Sequence, residues 1–438
     1  MSRNRISHDN SGRITRRRVV QSAAAAGALG LAGCLGGDDD ETDPDEIDEG
    51  DLEGTELSLT GWATDDTEYE LLQEQVEQFE EEYGADVDYE PIPSEYERQV
   101  QTQIGAGEIA DAFYLDASYY ASFASEGVLV DLEQYIEEDD DLDVDDFFDP
   151  LIEAFTYDGT LYGVPKDFST LGLFYNEPML ENAGVDEPPE TWDELRESLE
   201  AVQEEGEVDY PMFASDDGRM FFPLLFQKGG QVLSEDGDEC VVASEEGVEA
   251  LEFVVELLED DLIGRPSETG YEWHGEALGS EGVAMAVEGT WAIASLESEF
   301  SDVDDDVDVA HLPIPEDGEQ ATAAYTVCYS SSEHTEDPGA AYTLISELTD
   351  SEGMQAWAEQ GLALSAHEDH DDLEYYEDHP RRQTMLEAGD WAEVMNFGPE
   401  SGEIMNVLTP ELEGAITGQN DPQTALERAQ EQINDDVL

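Results

Sequence analysis

Short stretches in which apolar residues alternate give way repeatedly to longer stretches in which they recur three and four apart. This alternation restricts the fold of the 438-residue chain more than any other feature. Glu56-Leu57-Ser58-Leu59-Thr60-Gly61-Trp62 reads as a strand entering a loop. Leu71, Leu72, Val76 and Phe79 then share one helical face, with Asp65 and Thr67 as candidate caps. Asp86-Val87-Asp88-Tyr89-Glu90 is a second strand, ended by Pro91. A helix over about 95–106 leads to a third strand, Ala112-Phe113-Tyr114-Leu115. Repeated βα units predict an α/β protein with parallel or mixed sheets flanked by helices. In such sheets ligands bind beyond the carboxyl ends of the strands. The segments Trp62–Asp65, Ser94–Tyr96 and Asp116–Tyr120 are therefore the first candidates for a site.

Composition sets the conditions under which such a fold must persist. Asp and Glu number 113 against 15 Lys and Arg, for a net charge of −98. No basic face is available for nucleic acid or for an anionic membrane. Hydrophobic residues at 39% and aromatics at 9% nevertheless suffice to fill cores. Self-repulsion on this scale is screened when the Debye length shrinks to about 3 Å near 1 M salt. A carboxylate surface almost without lysine therefore predicts adaptation to molar salt.

The cations are concentrated at the start: Arg3, Arg5, Arg13, Arg16, Arg17 and Arg18. Thr15-Arg16-Arg17-Arg18-Val19-Val20 resembles a twin-arginine export signal. The apolar stretch Val19 to Leu35 is short and rich in Ala and Gly, which favours a signal segment over a spanning helix. Leu31-Ala32-Gly33-Cys34 resembles a lipobox, which implies cleavage of residues 1–33 and lipid attachment at Cys34. Ten of the fourteen residues 38–51 are acidic, so 34–54 reads as an extended tether.

Further along, Gly163 to Asn176 is a long extended run suited to crossing between lobes, and Thr191 with Glu194 forms a capping box. A second α/β region reaches about 320, and helices are expected near 338–348, 351–360 and 422–434. Five segments together resemble family 1 of the extracellular solute-binding proteins, the maltose-binding-like components of sugar ABC importers. They are Trp62 after the first strand, Gly107-Glu108-Ile109-Ala110-Asp111-Ala112-Phe113-Tyr114, Val164-Pro165 through Tyr175-Asn176, Pro189-Glu190-Thr191-Trp192-Asp193-Glu194-Leu195 and Ala284-Met285-Ala286-Val287-Glu288-Gly289-Thr290-Trp291-Ala292. The resemblance covers about residues 55–435, with one departure where Ala110 stands before Asp111 in place of the family's usual Pro.

The resemblance implies a two-lobe, type II periplasmic-binding-protein-like fold. Lobe 1 would comprise 55–166 plus 326–372, and lobe 2 would comprise 168–322 plus 375–438. Hinge crossovers would lie near Lys166–Thr170, Ala323–Tyr325 and 370–376. It further implies a monomeric, lipid-anchored sugar receptor of a halophilic archaeon, exported by the twin-arginine route to the outer face of the membrane. Such a receptor hands its carbohydrate to permease subunits and, through them, to an ATPase. No cofactor is expected.

Sugars need flat rings under their C–H faces and polar groups for their hydroxyls. Trp62, Trp291 and Tyr325 are the candidate platforms. Trp291, after Gly289-Thr290, corresponds by resemblance to the stacking aromatic of the second lobe. Asp65, Glu95, Asp116, Ser118, Tyr119, Asp167, Ser169 and Arg219 are the polar candidates, with Asn396 and Phe397 behind them.

Competing readings are a polyamine receptor, a glycoside-acting enzyme and a metal site. Paired acids carry no signal for hydrolysis in so acidic a chain, and GxSxG, HExxH and P-loop motifs are absent. His367 and His370 stand three apart among acids, which suggests a solvated loop more than a metal site. Cys240 and Cys328 either pair or remain two separate buried thiols.

Overall fold

A computed structural model describes residues 52–62, 66–92, 94–137, 139, 142–206, 208–213, 219–234, 236–265, 269–271, 273–368, 370 and 373–438. The export-like segment, Cys34, the tether as far as residue 51 and Asp65 lie outside the described residues. Among the described residues no helix is long and apolar enough to cross a membrane.

Among the described residues thirteen strands run in chain order: β1 Glu56–Thr60, β2 Asp86–Tyr89, β3 Ala112–Asp116, β4 Thr156–Tyr157, β5 Thr160–Leu161, β6 Gly163–Thr170, β7 Gly172–Asn176, β8 Met212–Phe213, β9 Ile263–Gly264, β10 Met285–Glu288, β11 Val307–Ala310, β12 Thr322–Ser331 and β13 Ala392–Val394. The first sheet has the order β13-β12-β3-β1-β2, with β6 also on β12. The second has the order β11-β7-β10-β8-β9. Pairings β1–β2, β1–β3, β12–β13, β8–β10 and β8–β9 are parallel. Those of β12 with β3 and β6, and of β7 with β10 and β11, are antiparallel. Because β6 runs along 324–330 of β12, β3 and β13 must share the opposite edge.

Period-two patterning explains how the second sheet is covered. Leu173, Met212 and Met285 enter a core shared with the helices Phe221–Gln227, Glu245–Glu259, Ser401–Ile416 and Pro422–Asp436. Their chain neighbours Phe174, Phe213 and Ala286 point the other way, into a core continuous with that of the first sheet. In the first sheet, β3 is buried along Ala112–Leu115, as a central strand covered on both faces must be.

The extended run 163–176 divides between the two sheets at one residue. Thr170 pairs with Ala324 in the first sheet, and Gly172 pairs with Glu288 in the second. At Leu171 the backbone N–H donates to Ala323 O at 3.3 Å, and Thr322 Oγ1 donates to Leu171 O at 2.8 Å. Thr170 Oγ1 donates to Met385 O at 2.6 Å, which brings in the helix Pro380–Glu387. A Cβ on Gly172 would lie 2.7 Å from Met385 Sδ, so a larger residue would wedge this seam open.

Several elements depart from the sequence-based expectation. The strand Ala392–Val394, expected with the second lobe, pairs instead with the start of β12 in the first sheet. Thr67 lies inside the helix Asp66–Tyr83 rather than capping it. The helix Ser401–Ile416 was not foreseen, because Pro410 and two glycines interrupt its pattern. The capping box is present: Thr191 Oγ1 accepts from Glu194 N at 3.2 Å, and Glu194 Oε2 accepts from Thr191 N at 3.1 Å.

Candidate functional site

A cleft of about 320 Å³ opens where the two sheets meet. Asp116, Ala117 and Ser118 reach it from the carboxyl end of β3, and Ala324, Tyr325 and Thr326 from the middle of β12. Arg219 and Phe222 enter from the second lobe's side, with Met395, Phe397, Met405 and Thr409 closing the rest. Asp116 caps the helix Ala117–Glu126, accepting from Ser118 N at 2.8 Å and from its hydroxyl. Burial holds the Asp116 carboxyl above the usual carboxylate range. The Ser118 bonds pull it down, and the charge of Asp167 pushes it up.

Beside the cleft, one buried carboxylate organises the second lobe's aromatic. Glu288 ends β10 and is fully buried. Its Oε1 is 2.9 Å from His274 Nδ1, and its Oε2 accepts from Trp291 Nε1 at 2.7 Å. The same Oε2 is 3.5 Å from Arg219 Nη1, whose guanidinium lies 5.5 Å from the indole centre. Trp291 is 38% exposed and meets Tyr325 edge-on at 6.0 Å. Its ring thus borders the cleft through two residues that line it.

Of the candidates expected to gather here, Asp116, Ser118, Arg219 and Tyr325 line this cleft, and Trp291 stands at its border. Trp62 does not line it; the indole packs edge-on against Tyr96 at 5.0 Å and Tyr114 at 5.2 Å. Tyr119 packs on Phe123. Glu95 is an exposed residue in left-handed conformation, ion-paired with Arg98 one helical turn away. Asp167 is paired with buried Lys166, whose ammonium also lies 3.8 Å from the Trp357 ring. Ser169 spans the two sheets, its Oγ accepting from Thr290 N at 3.1 Å. Asn396 donates to Ala154 O and lines a neighbouring recess instead. Sequence reasoning passed over Phe222, Met405 and Thr409, because their helices had not been placed against the cleft.

The sequence model of the bacterial extracellular solute-binding proteins matches residues 63–355. The chain belongs to this family. An arabinooligosaccharide-binding protein of Halalkalibacterium halodurans is 22% identical over 354 residues, covering 76% of this chain and 77% of that protein. Binding proteins of Brucella abortus are 25% identical over 197 residues, so the match spans only 46% of their length and 43% of this chain. An ABC substrate-binding protein from Listeria monocytogenes, solved in complex with cycloalternan, superimposes with a TM-score of 0.75 at 25% identity, over 87% of this chain and 98% of that one. The matched relatives are binding proteins, and the fold is their two-lobe α/β architecture with mixed sheets.

The remaining candidates resolve into packing. His367 and His370 are buried rather than solvated. His367 Nε2 is 2.9 Å from Thr349 O, and His370 lies between Ser351 and Ser365. Among the described residues no cluster of three or more metal-binding side chains occurs. Cys328 and Cys240 are free, buried thiols in different cores, and burial raises both above the usual thiol range.

Proposed function

We propose that this chain is the extracellular substrate-binding component of an ABC importer. It takes a sugar or oligosaccharide into the cleft and delivers it to membrane permease subunits coupled to an ATPase. The observation that carries the reading is the lining of the cleft. Rings from Tyr325, Phe222 and Phe397 stand beside groups able to pair hydroxyls, namely Asp116, Ser118, Thr326, Thr409 and Arg219. The carbohydrate ligands named for the Halalkalibacterium and Listeria relatives support the same class. Closure about the seam at Leu171 and Thr322 would give the closed form the higher affinity that transport requires.

The chain acts as a monomer, lipid-anchored through Cys34 on the outer face of the cytoplasmic membrane after twin-arginine export, in a cell that lives in molar salt. The run Arg16-Arg17-Arg18 and the Leu-Ala-Gly-Cys sequence support the export and the anchor, and the net charge of −98 supports the salt.

A panel of mono- and oligosaccharides, with spermidine as the non-sugar competitor, titrated against tryptophan fluorescence tests the ligand class. Saturable quenching by a sugar is expected. Silence across the sugars with a response to spermidine would move the assignment to polyamines, and turnover in a reducing-sugar assay would make the protein an enzyme. Replacing Cys34 with Ser should release the protein into the medium. The melting midpoint should climb steeply between about 0.1 M and about 3 M KCl as repulsion is screened.

A further inference from the structure

The Glu288 carboxylate sits where no solvated acid would be placed. It is fully buried at the last position of β10, opposite Gly172 of β7 and immediately beside the seam. A buried carboxylate is retained only when its acceptor positions are filled. Here three side chains meet it: the His274 imidazole and the Trp291 indole N–H by hydrogen bonds, and the Arg219 guanidinium as an ion pair at 3.5 Å. Two of these, Trp291 and Arg219, stand at the cleft. The third is a support.

His274 is itself buried, and its Nε2 has no hydrogen-bond partner among the described residues. The Nδ1–H tautomer therefore fits: it donates to Glu288 Oε1 and leaves only a lone pair unmatched at Nε2.

The turn that follows is pinned from two further sides. Ser169 of the first sheet accepts from Thr290 N at 3.1 Å and lies 2.9 Å from the Thr290 hydroxyl, which ties the start of the helix Thr290–Glu299 across the seam. The six-membered ring of the indole lies so close to Gly289 that a Cβ there would fall 2.3 Å from it. Gly289 has an extended backbone, so the need for glycine is one of space rather than of φ.

We propose that Glu288 is the positioning residue of the ligand cleft. It holds the Trp291 ring by its N–H, at the angle at which the ring serves as a platform. His274 fixes the carboxylate from behind. Glu288 touches no ligand, and its effect on affinity passes through Trp291. The proposal rests on reading the cleft as a carbohydrate site, but the orientation of the ring is measurable without ligand.

The test is indole N–H exchange in the full folded chain, with the Trp291 resonance assigned by its loss in Trp291→Phe. In the unmodified protein this N–H should be protected from exchange. Glu288→Gln keeps an acceptor for it and should keep protection; Glu288→Ala should lose it. Sugar affinity should fall roughly 10- to 100-fold in Glu288→Ala, the range for a lost hydrogen bond to a charged group. In a Trp291→Ala background the same change should add less than about twofold, because the interaction acts through the ring.

Unchanged exchange in Glu288→Ala, or losses that multiply in the double variant, would overturn the proposal. Should Glu288→Ala fail to fold, Gly289→Ala supplies the same test: its methyl displaces the ring, and an N–H that stays protected there would equally overturn it. If no sugar binds the unmodified protein, the carbohydrate reading fails on its own, and the exchange result still decides whether Glu288 positions the ring.

Discussion

Trp62 and Trp291 each follow a strand of their sheet, one after β1 and the other after β10, and the structure uses them differently. Trp62 gives its edges to Tyr96 and Tyr114 and belongs to the packing of the first lobe. Trp291 is 38% exposed, yet its N–H is anchored on a fully buried carboxylate. Position after a strand therefore brings an aromatic to the sheet edge, but only its remaining contacts decide whether a face is left for ligand. An aromatic held by its polar edge keeps its apolar faces available, whereas one held by neighbouring rings does not.

The largest expected effect separates the two rings. Trp291→Ala should lower sugar affinity by roughly 100-fold or more, as loss of a central aromatic anchor does, with the smaller part of its effect on stability. Trp62→Ala should reverse this pattern. It should cost roughly 2–3 kcal/mol of stability in urea unfolding while affinity shifts less than about threefold. Equal affinity losses in both would erase the distinction.

Next comes a pair of arginines. Arg219→Ala removes a cleft group that also lies over the platform, and calorimetry should show roughly tenfold weaker binding. Arg98→Ala removes only an exposed surface pair and should change stability and affinity within about 0.5 kcal/mol.

A smaller effect concerns pH. The Asp116 carboxyl is raised in the folded protein, chiefly by burial, so the native state holds its proton more tightly than the unfolded chain. Stability should therefore fall as pH rises from the ordinary carboxylate range through the raised value, then level off. Asp116→Asn can still accept the Ser118 N–H and should flatten that slope in melts across the acid range. A slope that persists unchanged would place its origin elsewhere, with Glu393 next, since burial and then Glu153 raise it too. Least of all, neither Cys240 nor Cys328 should react with a bulky maleimide before unfolding, since both thiols are buried and pushed up.

The features legible in the sequence were those carried by local chemistry. The strands around Leu57, Val87 and Phe113 and the box at Thr191 and Glu194 follow from residue spacing within one element. The extended run through Ser169 was equally plain, although its division at Leu171 was not. The helix Ser401–Ile416 is hidden in the sequence because Pro410 breaks the pattern, and packing against the helices Glu245–Glu259 and Pro422–Asp436 holds it in place. Glu95 and Asp116 both stand ahead of a helix that follows a strand, so the sequence alone does not separate them. The cleft that Asp116 lines distinguishes them, and most of its other lining residues, from Arg219 to Thr409, come from far along the chain.

Alternating and helical hydrophobic spacing, the overwhelming excess of carboxylates and the arginine and cysteine signals near the start were determined by the sequence alone, since each is a property of neighbouring residues. Tertiary structure decided which of 113 acids would be buried and put to use. Nothing in the local pattern separates Glu288 from the others. It becomes an anchor only because β10 ends at the seam, where His274, Trp291 and Arg219 converge from separate turns of chain to satisfy a charge that water cannot reach.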